Sequence, residues 1–247
     1  MTGSLRALVS RLIDYAGLYP PAALSLPQVL ENYQRYFDSP NAWMLNRLVL
    51  PEAKLSEVEL GANWRVTLLV DHEPGPLPPE VETLEYKGGY KLSLPTYCEV
   101  ALDRVVDGFA KVRTGGLTPN AIPPAGQIAD FLSQAASRRI PFKATAGLHH
   151  AFRSERALTY AVDSPRGVMH GFVNVFTAAA FAWHGMDRKR ILNVLEDTAD
   201  AFEFRDTELR WRGCALTTEQ IAIARRDFAH SFGSCSFEEP VADILQS

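Results

Sequence analysis

Residues 108–150 read GFAKVRTGGLTPNAIPPAGQIADFLSQAASRRIPFKATAGLHH. GFAKVRTGG (108–116) is an apolar strand that runs into a Gly-Gly turn. PPAGQIADFLSQAASRR (123–139) is a helix that its prolines start. IPFKATAGLHH (140–150) is a second strand ending in a glycine turn. Strand, helix and strand in that order require a parallel pair with a right-handed crossover.

The same alternation extends outward. PQVLENYQRYF (27–37) begins with Pro27 just inside a helix start, with Ser25 as its cap. WMLNRLVLP (43–51) predicts a short buried strand, AKLSEVELG (53–61) a helix, and WRVTLLVD (64–71) a strand. VETLEYK (81–87) and TYCEVAL (96–102) are further strands. VMHGFVNVF (168–176) reads as a buried strand leading into a helix through TAAAFAWHG. A helix at DRKRILNVLED, a hairpin at AFEFRDTELRWRG (201–213) and a helix over TTEQIAIARRDFAHSF (217–232) complete the pattern. Seven or eight strands with helices between most of them predict one TIM-type (β/α)8 barrel over 1–247, with room for an irregular C-terminal extension.

The composition agrees. The chain has 247 residues, 47% hydrophobic and 22% charged, with a formal net charge of −4, and about 250 residues is a typical barrel length. No clustered positive charge points to nucleic acid or to an anionic membrane. No apolar run long and uncharged enough to span a bilayer occurs, and the first residues lack a signal-peptide core. Cys98, Cys214 and Cys235 are widely spaced with no CxxC pair, which fits free thiols in a cytoplasmic protein. Neither GxGxxG nor GxxxxGK[ST] is present, so nothing marks a nucleotide cofactor. No cofactor and no bound metal is expected.

In a parallel barrel the chemistry lies at the carboxyl ends of the strands. Lys111 and Arg113 are two apart on one strand and share a face. The helix-facing side would tolerate two cations poorly, so both are expected to point inward near the mouth. Lys143 has the matching place on the next strand, with Thr145 two residues on. Such a cluster would make a positive pocket for a small phosphate or carboxylate. Like-charge crowding would lower a lysine's pKa and make its amine a nucleophile. The structural alternative is that these cations pair with carboxylates such as Glu99 or Asp14.

K-V-R-T-G from Lys111 and K-A-T-A-G from Lys143, 32 residues apart, resemble the class I deoxyribose-phosphate aldolases. That family carries a Schiff-base lysine in a K-T-S-T-G strand end and a second lysine in K-x-x-G-G. LIDYAGLYPPA is similar to its opening I-D-H-T-x-L-K-P, and FGSCS (232–236) to its F-G-x-S-S phosphate-binding turn. The resemblance implies Lys111 as the imine-forming residue, Lys143 as the group that tunes it, and Asp14 as a polar site residue. It also implies an acid on a middle strand, for which Glu99 and Asp71 are the options. Arg113, and His149-His150 after the second motif, depart from the pattern and imply a different substrate.

Other polar residues complete the expected site. Thr114, Gly115, Gly116, Thr145 and Gly147 line the strand ends, and Arg113 would hold an anionic group of the substrate. Adjacent histidines on a strand point oppositely, so one of His149 and His150 is expected to face the site for proton transfer, metal ligation or packing. Glu99 would pair with Lys111 or act as a base. Arg47 is expected to point inward, toward ligand or into an ion pair. Ser234 and Ser236 offer either an anion site at a helix start or simple capping before Glu238 and Glu239.

These residues point first to an aldolase-like lyase acting on a small anionic carbonyl compound. An acid/base or metal-assisted hydrolase or isomerase, and a non-catalytic anion-binding barrel, remain as alternatives. Residues 186–232 lie outside the resemblance and are expected to serve as a cap, a lid or a homo-oligomer contact.

Overall fold

In the computed structural model the chain is described over residues 1–88, 92–104 and 108–246. Helix α1 (Gly3–Val9) leads into strand β1 (Ile13–Tyr15), and α2 (Leu26–Phe37) returns the chain to β2 (Leu45–Pro51). Four strands follow: β3 (Val66–Val70), β4 (Val81–Tyr86), β5 (Thr96–Val100) and β6 (Phe109–Arg113). Helix α3 (Ala125–Ser137) and strand β7 (Phe142–Thr145) complete the unit from which the fold was read. A hairpin of β8 (Ser154–Ala157) and β9 (Arg166–Met169) precedes helices α4 (Phe172–Trp183) and α5 (Arg188–Glu196). An antiparallel sheet of β10 (Phe202–Phe204), β11 (Glu208–Trp211) and β12 (Cys214–Thr217) leads to α6 (Thr218–Asp227), β13 (Ala229–Ser234) and α7 (Glu238–Leu245).

Eight strands close into a barrel in the order β1-β13-β7-β6-β5-β4-β3-β2. Every neighbouring pair is parallel, so the protein is a TIM-type α/β barrel. Alternation along the strands separates two environments. Ala110 and Val112 on β6 and Ala144 on β7 are buried outward, beneath a helical layer in which α3 packs on α4 and α5. Lys111 and Lys143, between them in sequence, point into the barrel.

The helical layer is one-sided. Among the described residues the links β2–β3, β3–β4, β4–β5 and β5–β6 carry no α-helix. AKLSEVELG, expected to be a helix, supplies only a 3-10 turn (Glu52–Glu57); Leu55 in the turn and Val58 and Leu60 after it pack on the core.

Two more boundaries differ from the sequence reading. FVNVF is the first turn and a half of α4, not a strand. Phe172 through Ala182 are all buried, so no polar face betrays the helical period. The helix expected over 217–232 ends at Asp227, and AHSFGS forms β13, the strand that closes the barrel. Within 186–232, α5 packs on α3 and α4, while β10 and β11 pack against α1.

Caps follow the local chemistry. Ser25 and Gln28 form a capping box at α2, Asp187 accepts from Arg190 N–H at 3.1 Å, and Thr217 accepts from Gln220 N–H at 3.1 Å.

Candidate functional site

Strand register assembles the site. Glu99 on β5 lies opposite Lys111 on β6, Lys111 opposite Lys143 on β7, and Lys143 opposite Ser231 on β13. Partners at one level of a parallel sheet project to the same side, so four consecutive strands present one polar row to the interior. Asp14 on β1 and Glu85 on β4 extend it at either end, on the strands that pair with β13 and β5.

The lysines are interleaved with carboxylates. Lys143 Nζ donates to Asp14 Oδ2 and to Glu85 Oε1, each at 2.5 Å. Lys111 Nζ lies 2.6 Å from Glu85 Oε2 and 3.3 Å from Glu99 Oε2. Glu85 therefore gives one oxygen to each amine. Asp14 also accepts from Ser231 Oγ at 2.8 Å, from Asn46 Nδ2 at 2.6 Å and from Arg47 N–H at 3.3 Å. Arg113 Nε donates to Glu99 Oε1 at 2.8 Å.

The expected strongly positive pocket is thus a balanced lattice. Lys111, Lys143 and Arg113 face Asp14, Glu85 and Glu99, because charges this deep need partners. Burial works against each charged form, yet Lys143 and Arg47 hold Asp14 below its ordinary value, and the two lysines do the same to Glu85. Burial alone would pull the Lys143 amine down, but Asp14 and Glu85 outweigh it and raise its pKa. Glu99 is also lowered: Lys111 and Arg113 overcome its partial burial.

The two amines differ in access. Lys143 is 1% exposed and Lys111 is 9% exposed. Beneath Lys143, the Tyr97 ring centroid lies 5.5 Å from Nζ, and the Tyr97 hydroxyl bonds His230 Nδ1 at 2.6 Å. Burial above all drives His230 down to about 4, so it is neutral near pH 7. Its Nε2 meets the Arg226 carbonyl at 3.1 Å, an acceptor only, which assigns the proton to Nε2 and makes Tyr97 the donor to Nδ1.

The two glycine turns lock β6 to β7. A Cβ on Gly115 would stand 2.8 Å from Gly147 Cα, and one on Gly147 2.7 Å from Gly115 Cα. Gly147 has φ +81° and Ala146 φ +61°, conformations that suit glycine better than alanine. Thr114 Oγ1 donates to the Ala146 carbonyl at 2.7 Å. Thr145 lies in register with Arg113 and Gly233, and Gly116 faces Ala121.

No family model, no curated protein and no solved structure matches the chain. The site therefore rests on its own geometry.

Lys111, Lys143, Asp14 and Glu99 come together as the sequence suggested, with Arg113 at the rim. Other expected members lie elsewhere. His149 and His150 follow the end of β7 on a turn, so strand alternation does not apply, and both face α7. His149 Nδ1 is 2.9 Å from Glu239 Oε2, and His150 Nδ1 is 3.4 Å from Asp243 Oδ1. Ser236 Oγ accepts from Glu239 N–H in the first turn of α7 at 3.1 Å, and Ser234 Oγ accepts from Ser236 N–H at 3.3 Å in the turn before it. The Arg47 side chain pairs with Glu82 at 2.9 Å, near the start of β4, where Arg65 Nε also binds Glu82. Asp71, at the end of β3, is exposed.

Glu85, Ser231 and Asn46 were not anticipated. Glu85 lies one residue before the end of β4, a placement comparable to that of Lys111 on β6. Among the described residues, no three His, Cys, Asp or Glu side chains gather to hold a metal ion, and no helix is long and apolar enough to cross a membrane. A groove of about 870 Å³ borders the network at Glu99 and Arg113 and runs along α3 past Gln127.

Proposed function

We propose that the protein is a lyase that works through a Schiff base between Lys111 and a small carbonyl compound. The observation that carries this is the division of Glu85 between the two lysines, one oxygen on each.

An imine needs a neutral amine. Glu85 is placed to take the proton of Lys111, and Lys143 stays a cation because Asp14 supports it from the other side. Lys111 is the less enclosed amine, which suits it to meet a carbonyl carbon. The acid that the aldolase resemblance implies on a middle strand is supplied by Glu85 on β4.

Once an imine has formed, its nitrogen draws electrons from the bond between the α- and β-carbons, leaving an enamine. Cleavage of that bond needs a base to take the proton of the β-hydroxyl, and Glu99, bonded to Lys111 and Arg113, lies close enough to serve. Arg113 is bonded through Nε, and its side chain is 61% exposed. Its outer edge suits a carboxylate or phosphate of the substrate.

Borohydride reduction with a panel of small aldehydes and ketones, read by intact mass, tests this. The wild type should gain the mass of the carbonyl compound plus two hydrogens less one water, and Lys111→Ala should not. A second reading follows from the balance of the lattice: Lys143 and Glu85 could pass protons to a bound anion without a covalent step, as an isomerase or hydrolase does. That reading gains if no probe leaves a Lys111-dependent mass.

A further inference from the structure

Glu99 stands between the lysine network and the groove beside α3. One of its oxygens lies 3.3 Å from Lys111 Nζ, the other accepts from Arg113 Nε at 2.8 Å, and both Glu99 and Arg113 line the groove. The groove lies between α3 and the link from β5 to β6, which carries no α-helix among the described residues. Its volume of about 870 Å³ falls within the roughly 300–1,000 Å³ of clefts that hold drug-sized ligands. That is far more room than a short aldehyde fills.

The lining has two characters. Leu102 from the link and Ile122 and Pro124 before α3 are apolar. Gln127 and Gln134 lie two turns apart on α3 and share one helix face. With Asn120 they give the groove three amide side chains that make no hydrogen bond among the described residues. An amide donates, accepts and carries no charge, so it matches hydroxyl groups, while the apolar wall matches the C–H sides of the same chain. Among the described residues the one cation of the lining is Arg113. Its remaining charged groups are acids: Asp103, with no cationic partner among the described residues, and Asp130, held by Arg188 at 2.7 Å. One anionic group fits beside Arg113, and a second finds no partner in the groove.

We propose that the groove holds the chain of a 2-oxo acid with an uncharged, hydroxylated tail, and that Gln127 and Gln134 determine specificity for that tail. This rests on the Schiff-base reading and names its substrate. With the imine at carbon 2, the carboxylate is one bond from the carbon on Lys111, and Arg113, which shares Glu99 with Lys111, is the cation placed to take it. Glu99 takes the proton of the hydroxyl on carbon 4. The bond between carbons 3 and 4 breaks, its electron pair forms the double bond between carbons 2 and 3 of an enamine, and the C=N pair returns to nitrogen. The oxygen on carbon 4 becomes the carbonyl of a departing aldehyde. Glu99 then gives the proton to carbon 3, and water hydrolyses the imine to a shorter 2-oxo acid and free Lys111. The water released on imine formation is thus taken back, and one 2-oxo acid yields a shorter one and an aldehyde. Because Glu99 serves carbon 4 and opens the groove, the carbons beyond it extend along α3.

The test is the half-saturating concentration for borohydride trapping, read as total adduct by intact mass, with each compound compared with itself across variants. The probes are propanal, pyruvate, 2-oxohexanoate, 2-oxo-3-deoxygluconate and the 6-phosphate of the last. Gln127→Trp, which fills the groove, should raise that concentration about tenfold more for 2-oxo-3-deoxygluconate than for pyruvate, as loss of one or two hydrogen bonds does. Gln127→Ala combined with Gln134→Ala, on an exposed helix face, should act in the same direction. Arg113→Gln should weaken trapping of both acids relative to propanal. Equal shifts for pyruvate and 2-oxo-3-deoxygluconate in both groove variants, beside a Lys111-dependent adduct, overturn the groove as a subsite. A shift as large for 2-oxohexanoate overturns the hydroxylated tail, and a larger shift for the 6-phosphate than for its parent overturns the uncharged one. Absence of any Lys111-dependent adduct overturns the imine and the subsite with it.

Discussion

Lys111 and Lys143 lie directly opposite each other in the register of β6 and β7, yet their amines meet only through the carboxylate of Glu85. Two cations side by side inside a barrel would repel strongly at low dielectric. The intervening carboxylate converts that repulsion into a shared proton acceptor.

Replacement of Glu85 by Gln keeps the shape and removes the acceptor. Reductive trapping at Lys111 should slow by about 10²–10⁴-fold, the usual contribution of a positioned acid or base. The comparison is Glu99→Gln, which leaves Glu85 on both amines and should slow trapping less. Equal effects of the two changes would deny Glu85 its special place.

Lys143→Met should destabilise the fold by about 3–5 kcal/mol, because Asp14 and Glu85 would be left buried with one cation fewer. Urea unfolding measures this. Adding Asp14→Asn to Lys143→Met should recover part of the loss, and strict additivity would show that the pair is not coupled.

Stability should fall at both ends of the pH scale. Asp14, Glu85 and Glu99 have folded values below their ordinary 3.8, 4.5 and 4.5. Their contribution is complete above those ordinary values and is lost as pH drops through the folded ones. Lys143 is raised above 10.5, so its contribution is complete below that pH and declines as pH climbs through the folded value. Thermal melts across pH should show a plateau between about 7 and 10 with losses on either side, the acid limb opening with His230, whose folded value of about 4 lies below its ordinary 6.5. A midpoint that rises steadily on acidification below pH 4 would contradict the assigned signs.

Gly147→Ala would place a methyl group against the Gly115 backbone in a left-handed conformation. A loss of about 2 kcal/mol or more is expected from strain and displacement together, measurable by urea unfolding. Ala146→Gly, at φ +61°, should be neutral or stabilising.

Much of this was legible in the sequence. The two strand ends KVRTG and KATAG gave the parallel pair, the inward lysines and the mouth. Glu85 was missed because in VETLEYK acids alternate with apolar residues on both faces, and only the barrel's closure decides which face is interior. Helix α4 was misread at its start because burial on every side erases periodicity. Strand β13 was absorbed into α6 because ARRDF keeps helical spacing up to the residue where the chain turns. The histidines were placed wrongly because Ala146 and Gly147 bend the backbone out of the strand before His149.

The one-sided helical layer has a kinetic consequence. From β2 to β6 each strand pairs with the next one along the chain, across short links, so these contacts are local and entropically cheap to form. The seam that brings the two ends of the chain together, β1 on β13, joins positions such as Asp14 and Ser231, 217 residues apart. Asp14 gains its hydrogen bond from Ser231 only when the final strand docks. On a ribosome the wall from β2 to β6 could form early, whereas the complete lattice must wait for the last strand to emerge, so assembly of the lattice reports closure of the whole cylinder.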